Sequence, residues 1–132
     1  MSKGACDTHI HFYDDRYLTV PGTPTPPAVG IAEYRQVMDW LGIERVIVVQ
    51  PNGYGDDNRL VMDSTAALGP DKARAVVVVK PDVADAELER LTKAGARGVR
   101  VMNLLGGTLK LALRNSSIRC RWIIRPFSAC CA

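Results

Sequence analysis

Arg45-Val46-Ile47-Val48-Val49-Gln50 is the stretch on which the fold turns. Its four central residues are all β-branched, which stiffens the side chains and favours extended backbone. A continuous apolar run without polar alternation suits a strand buried on both faces. The signal returns at Ala75 to Lys80, with Val76-Val77-Val78-Val79. Between the two runs, Pro51 to Asp57 is rich in turn formers. Asn58 can cap a helix running to about Leu68, closed by Gly69-Pro70.

Working backwards, Ile31, Tyr34, Met38 and Leu41 recur at helical spacing, and Gly42 is placed to end that helix. The same helix carries Trp40, which reads with Tyr34 as a core residue. Pro21-Gly22-Thr23-Pro24-Thr25-Pro26-Pro27 cannot form a helix interior. Ala5 to Phe12 reads as a first strand. Working forwards, Asp85 can cap a helix with Leu88 and Leu91 inward and Gly95 as stop, and Glu89 and Lys93 are spaced as an i,i+4 ion pair. Gly98 to Asn103 is a fourth strand. The order β-α-β-α-β-α-β predicts a parallel sheet covered by helices. Two architectures fit: a small doubly wound sheet, or part of a (β/α)8 barrel. A whole barrel needs about 250 residues, and the spacing here suits its N-terminal half.

The chain has 132 residues, 47% hydrophobic and 23% charged, which argues against disorder throughout. No apolar run approaches the roughly 20 residues of a membrane span. The first residues carry no apolar segment of the kind a secretory signal needs. The expected compartment is the cytosol. Net charge is uneven: residues 1–110 hold 13 Lys and Arg against 14 Asp and Glu, whereas residues 111–132 hold four arginines and no acid. Cys120, Cys130 and Cys131 fall in that same tail, without zinc-type spacing.

Asp7-Thr8-His9-Ile10-His11 is the strongest chemical signal. Side chains alternate along a strand, so His9 and His11 share a side while Ile10 packs on the other. By the same parity, Cys6 points away from the histidines. Two adjacent imidazoles can hold a divalent metal or act as acid and base; satisfaction by neighbouring groups is the plainer reading. Gln50-Pro51-Asn52-Gly53-Tyr54-Gly55-Asp56-Asp57-Asn58 offers amide, phenol and carboxylate groups at the same sheet end, or a solvated turn with a helix cap. Arg97 and Arg100 have opposite parity. One should face the interior, where a guanidinium could fork onto a substrate carboxylate or an acid of the chain. Neither G-x-G-x-x-G nor a P-loop is present.

Gly4 to Asp14, Gln50 to Asn58 and Gly98 to Asn103 together resemble the amidohydrolase-related family, and within it the branch of pyrone-dicarboxylate lactonases and galactarolactone isomerases. The likeness spans residues 4–110. It implies a (β/α)8 barrel with hydrolytic chemistry at the C-terminal face of the sheet. It implies that His9 and His11 are the first-strand histidines, metal ligands in many members and metal-independent in the lactonase branch. The cofactor is thus none or a divalent metal, zinc or manganese. Asn52, Tyr54 and Asn58 fall in the loop that contacts substrate in this branch. Arg100 matches the strand-four arginine that holds a substrate carboxylate. The lactonase carries a serine near Asn52 and a further basic residue where this chain has Leu105-Gly106-Gly107.

The expected activity is hydrolysis or isomerisation of a small carboxylate-bearing lactone, with a metal-dependent hydrolase or decarboxylase of the same family as the alternative. The family's later histidines and its last-strand aspartate have no counterpart up to residue 132. Residues 111–132 are expected to be an unrelated basic tail, the product of a frameshift near Lys110 or a natural basic arm. On this reading the isolated chain is inactive and self-associates through open sheet edges. A binding protein using the tail on nucleic acid or an acidic membrane is the reading of another class. Four arginines and Trp122 supply weak attraction at best, so neither partner is expected.

Overall fold

The computed structural model describes residues 3–24 and 26–100. The fourth strand beyond Arg100 and the basic tail lie outside the described residues. The elements are β1 (Cys6–Ile10), α1 (Ile31–Leu41), β2 (Arg45–Val49), a 3-10 turn (Asn52–Tyr54), α2 (Arg59–Leu68), β3 (Ala73–Val77), α3 (Asp85–Lys93) and β4 (Ala96–Val99). The four strands form one parallel sheet in the order β1-β2-β3-β4. This is the expected alternation of strand and helix.

One face of the sheet packs on the helices. Val46 and Val48, Ala73, Ala75 and Val77, and Ala96 meet Tyr34 and Met38 of α1, Val61, Met62 and Leu68 of α2, and Leu91 of α3. Apolar burial of this kind contributes roughly 25 cal/mol per Å², so this layer is what holds the sheet and helices together. Small alanines on β3 and β4 let the helices approach closely. Gly42 ends α1 in the left-handed conformation, φ 67°, that favours glycine.

Several expectations are corrected. Trp40 is 84% exposed, because helical rotation turns it away from the Tyr34 and Met38 stripe. α3 is capped by Ala84 rather than Asp85, which is the first helical residue, and its ion pair is Glu87 with Arg90 at 2.7 Å. β3 begins at Ala73, earlier than the valine run, because Ala73 pairs with Val46.

Two bulges break the simple alternation. On β1, Asp7 aligns with Val46 and Ile10 with Val48, so three steps on β1 match two on β2. Asp7 and Ile10 therefore both face the helices. Cys6, opposite Arg45, falls on the histidine side, contrary to the parity reading. On β4, Ala96 aligns with Ala75 and Gly98 with Val76, leaving Arg97 as the extra residue. The Arg97 guanidinium turns back to the carbonyl of Thr92 at the end of α3, 2.7 Å away.

Candidate functional site

The site forms where the strands end at their C-terminal edge. His9 and His11 flank Ile10, which packs with the helix-side core. Both imidazoles thus lie on the opposite face, with Nε2 atoms 3.2 Å apart. Asp7 braces this segment from behind. Its Oδ1 accepts the His9 amide at 3.0 Å, and its Oδ2 accepts the Tyr34 hydroxyl at 2.7 Å. Burial, then that hydrogen bond, raises the Tyr34 phenol far above its usual range.

His11 Nδ1 lies 2.8 Å from the Val49 carbonyl. A carbonyl only accepts, so Nδ1 carries the proton and neutral His11 presents a lone pair at Nε2. His9 Nε2 is then the donor of the pair. Burial holds His11 below its ordinary pKa; repulsion from His9 and Arg100 adds to this, and the Val49 hydrogen bond opposes it. The imidazole is therefore kept as a base.

Arg100 enters from β4. Its amide donates to Val77 O at 2.7 Å, and its Nη1 donates to Gln50 O at 3.0 Å. Of the two arginines of opposite parity, Arg100 faces the histidines. The last carbonyls of the β2 segment, Val49 and Gln50, thus hold one imidazole and one guanidinium.

The β2–α2 loop is organised by Gln50, which is fully buried. Its Nε2 donates to Gly55 O and Asp57 O, at 3.1 and 2.8 Å. Tyr54 is buried, and its hydroxyl accepts the Asp14 amide at 2.9 Å and donates to the Asp14 carbonyl at 3.2 Å. The Tyr13 ring lies between those of His11 and Tyr54. Asn52 is exposed at the start of the 3-10 turn. Asn58 makes no side-chain cap to α2. Its amide instead grips Val78: Oδ1 accepts Val78 N at 2.8 Å and Nδ2 donates to Val78 O at 2.6 Å. So His9, His11 and Arg100 come together, while Tyr54 and Asn58 have their polar atoms engaged by main chain.

A family model for amidohydrolases matches residues 6–132. The chain belongs to the amidohydrolase family. It is 40% identical over 113 residues to the D-galactarolactone isomerase of Agrobacterium fabrum, covering 83% of this chain and 38% of that protein. It is 39% identical over 103 residues to the 2-pyrone-4,6-dicarboxylate hydrolase of Comamonas testosteroni, covering 76% and 33%. A protein of Agrobacterium tumefaciens, solved without ligand, superposes with a TM-score of 0.72 at 40% identity, covering 78% of this chain and 38% of that one. The chain thus spans about a third of the length of these relatives, and its sheet is a partial (β/α)8 barrel. No helix among the described residues is long and apolar enough to cross a membrane.

In this member of the family the separation of the two histidine nitrogens fits a shared metal ion. Nitrogens 3.2 Å apart subtend about 100° at a zinc ion about 2.1 Å from each. Among the described residues, no third histidine, cysteine or carboxylate joins them. The sequence reading missed Gln50 as the organiser of the loop. A buried glutamine between a valine run and a proline was the available signal.

Proposed function

We propose that this chain carries the acid–base and carboxylate-binding part of a lactone hydrolase or isomerase. The observation that carries the reading is the meeting of His9, His11 and Arg100 on the carbonyls of Val49 and Gln50. In lactone opening, water oxygen adds to the acyl carbon and the ring C–O bond breaks. The proton leaving water goes to the departing ring oxygen. His11 Nε2 has the lone pair to take that proton once His9 Nε2–H turns from it to the ring oxygen, to which it donates. A hydroxyl of the substrate attacking in place of water gives an isomeric lactone with the same proton movements. One site therefore serves both activities named among the relatives. Arg100 holds a carboxylate and orients the ring, and Asn52 lies on the loop at the rim. The described residues bring no carboxylate beside the histidines, so activation of water rests on His11 alone, and we propose that this chain binds with little turnover.

A metal-dependent hydrolase is the second reading, favoured by the 3.2 Å separation. His9 and His11 would hold a zinc or manganese ion through Nε2, and the ion would supply Lewis-acid polarisation of the carbonyl.

Calorimetric titration with 2-pyrone-4,6-dicarboxylate and with its dimethyl ester tests the first reading. The expected result is binding of the dicarboxylate, weaker binding of the ester, and loss of that preference in Arg100→Met. Equal binding of both compounds, or an Arg100→Met chain that keeps the preference, refutes it. Titration of zinc into the chain and into His9→Ala separates the second reading.

A further inference from the structure

The parallel ladder between β2 and β3 stops one rung early, and the reason is a side chain. Gln50 N–H donates to Val76 O at 2.9 Å. Parallel rungs advance two residues at a time, so the next would carry Val78 N–H to Gln50 O. Val78 N–H instead donates to Asn58 Oδ1, and Val78 O accepts from Asn58 Nδ2. The Asn58 amide occupies the place of a strand residue beside β3. The Gln50 carbonyl is left without its ladder partner, and Arg100 Nη1 takes it.

We infer that Asn58 is a positioning residue for Arg100: by capturing both main-chain groups of Val78, it reserves the Gln50 carbonyl for the guanidinium. The consequence for substrate rests on the lactone reading above; the positioning itself does not.

Gln50 is suited to the task. Pro51 follows it and confines its backbone to extended conformations, so its carbonyl cannot swing away to follow a new partner. Its Nε2 is anchored on the loop carbonyls of Gly55 and Asp57. Its Oε1 is buried with no partner among the described residues. A buried acceptor without a donor lowers stability. Turning the amide over would set Oε1 against two carbonyls, so the loop contacts fix this orientation. Without Asn58, Val78 N–H is the donor that the parallel register assigns to the Gln50 carbonyl. A main-chain rung there displaces a long side chain that must be immobilised to compete.

The test uses the full chain, Asn58→Ser, Arg100→Met and the double variant. The readouts are the Arg100 guanidinium resonances by NMR and the affinity for 2-pyrone-4,6-dicarboxylate. In the unsubstituted chain the Nη1 hydrogen bond slows rotation of the guanidinium and gives resolved Nη–H signals. Asn58→Ser is expected to collapse those signals and weaken the probe about tenfold, the effect of one charge-assisted contact. Added to Arg100→Met, Asn58→Ser is expected to weaken the probe no further, although it destabilises both backgrounds alike. A purely structural role would not produce that split. Asn58→Asp keeps an acceptor for Val78 N–H, so it is expected to retain the Arg100 signals and serves if the serine variant does not fold. Unchanged Arg100 signals in Asn58→Ser, their loss in Asn58→Asp, or losses of affinity that multiply in the double variant overturn the inference. If the unsubstituted chain does not prefer the dicarboxylate to its ester, the lactone reading fails and the guanidinium signals still decide the positioning.

Discussion

Replacing Asn58 with alanine should cost the fold about 2–4 kcal/mol. The magnitude follows from what the amide touches. It holds Val78 N at 2.8 Å and Val78 O at 2.6 Å, and it also donates to Asp56 O at 3.2 Å. Val78 is only 7% exposed, so water cannot replace these partners freely. An exposed bond such as that to Asp56 adds little. Each buried main-chain group left unpaired costs roughly 1–3 kcal/mol. Part of this is recovered because the parallel register offers Gln50 O to Val78 N–H. Urea unfolding followed by circular dichroism measures the loss, and hydrogen exchange at Val78 shows where it arises. Serine is the decisive control. Serine caps helices as well as asparagine does and would recover about 1 kcal/mol if a cap were what was lost, but Asn58 makes no cap bond to α2 and its backbone, φ −79° and ψ 4°, is not the extended one of a capping residue. Serine is too short to span to Val78. Asn58→Ser should therefore fall within about 0.5 kcal/mol of Asn58→Ala, in the range of independent surface effects. A serine variant restored to nearly full stability would mean that Asn58 is a cap and that the strap to β3 contributes nothing.

Stability should also fall in acid through His11. Its folded pKa lies below the ordinary 6.5, so the unfolded chain binds the proton first. The contribution is fully present above about 6.5 and is lost as pH falls through the depressed folded value; urea midpoints across this range should decline less steeply in His11→Gln, and an unchanged slope would contradict the assignment. Tyr54→Phe removes both hydrogen bonds to Asp14 and should cost about 1–2 kcal/mol. It should also speed proteolysis within residues 13–29, and a variant as resistant as the parent would show that the loop is held by other contacts.

The strands and helices were legible because each has a local cause. β-branched runs in β2 and β3, the apolar stripe of α1 and the glycine after it act within one element, so their sequence pattern suffices. Pairing of His9 with His11 was legible for the same reason, since parity acts over two residues. Trp40 was misread because an aromatic on a helix has a preferred side only when the neighbouring layer is known. Cys6 was misread because a bulge is a mismatch between two strands, and neither strand alone encodes it.

The sequence by itself determined the parallel sheet, the shared face of the two histidines and the family to which the chain belongs. These follow from side-chain shape, backbone periodicity and short motifs. Tertiary structure alone decided the tautomer of His11, the place of Arg100 and the duty of Asn58. Each depends on a main-chain carbonyl or amide that every residue possesses and no residue name reveals: Val49 O, Gln50 O and the two groups of Val78. Which of those groups is left over from the ladder is settled only when the strands are laid side by side.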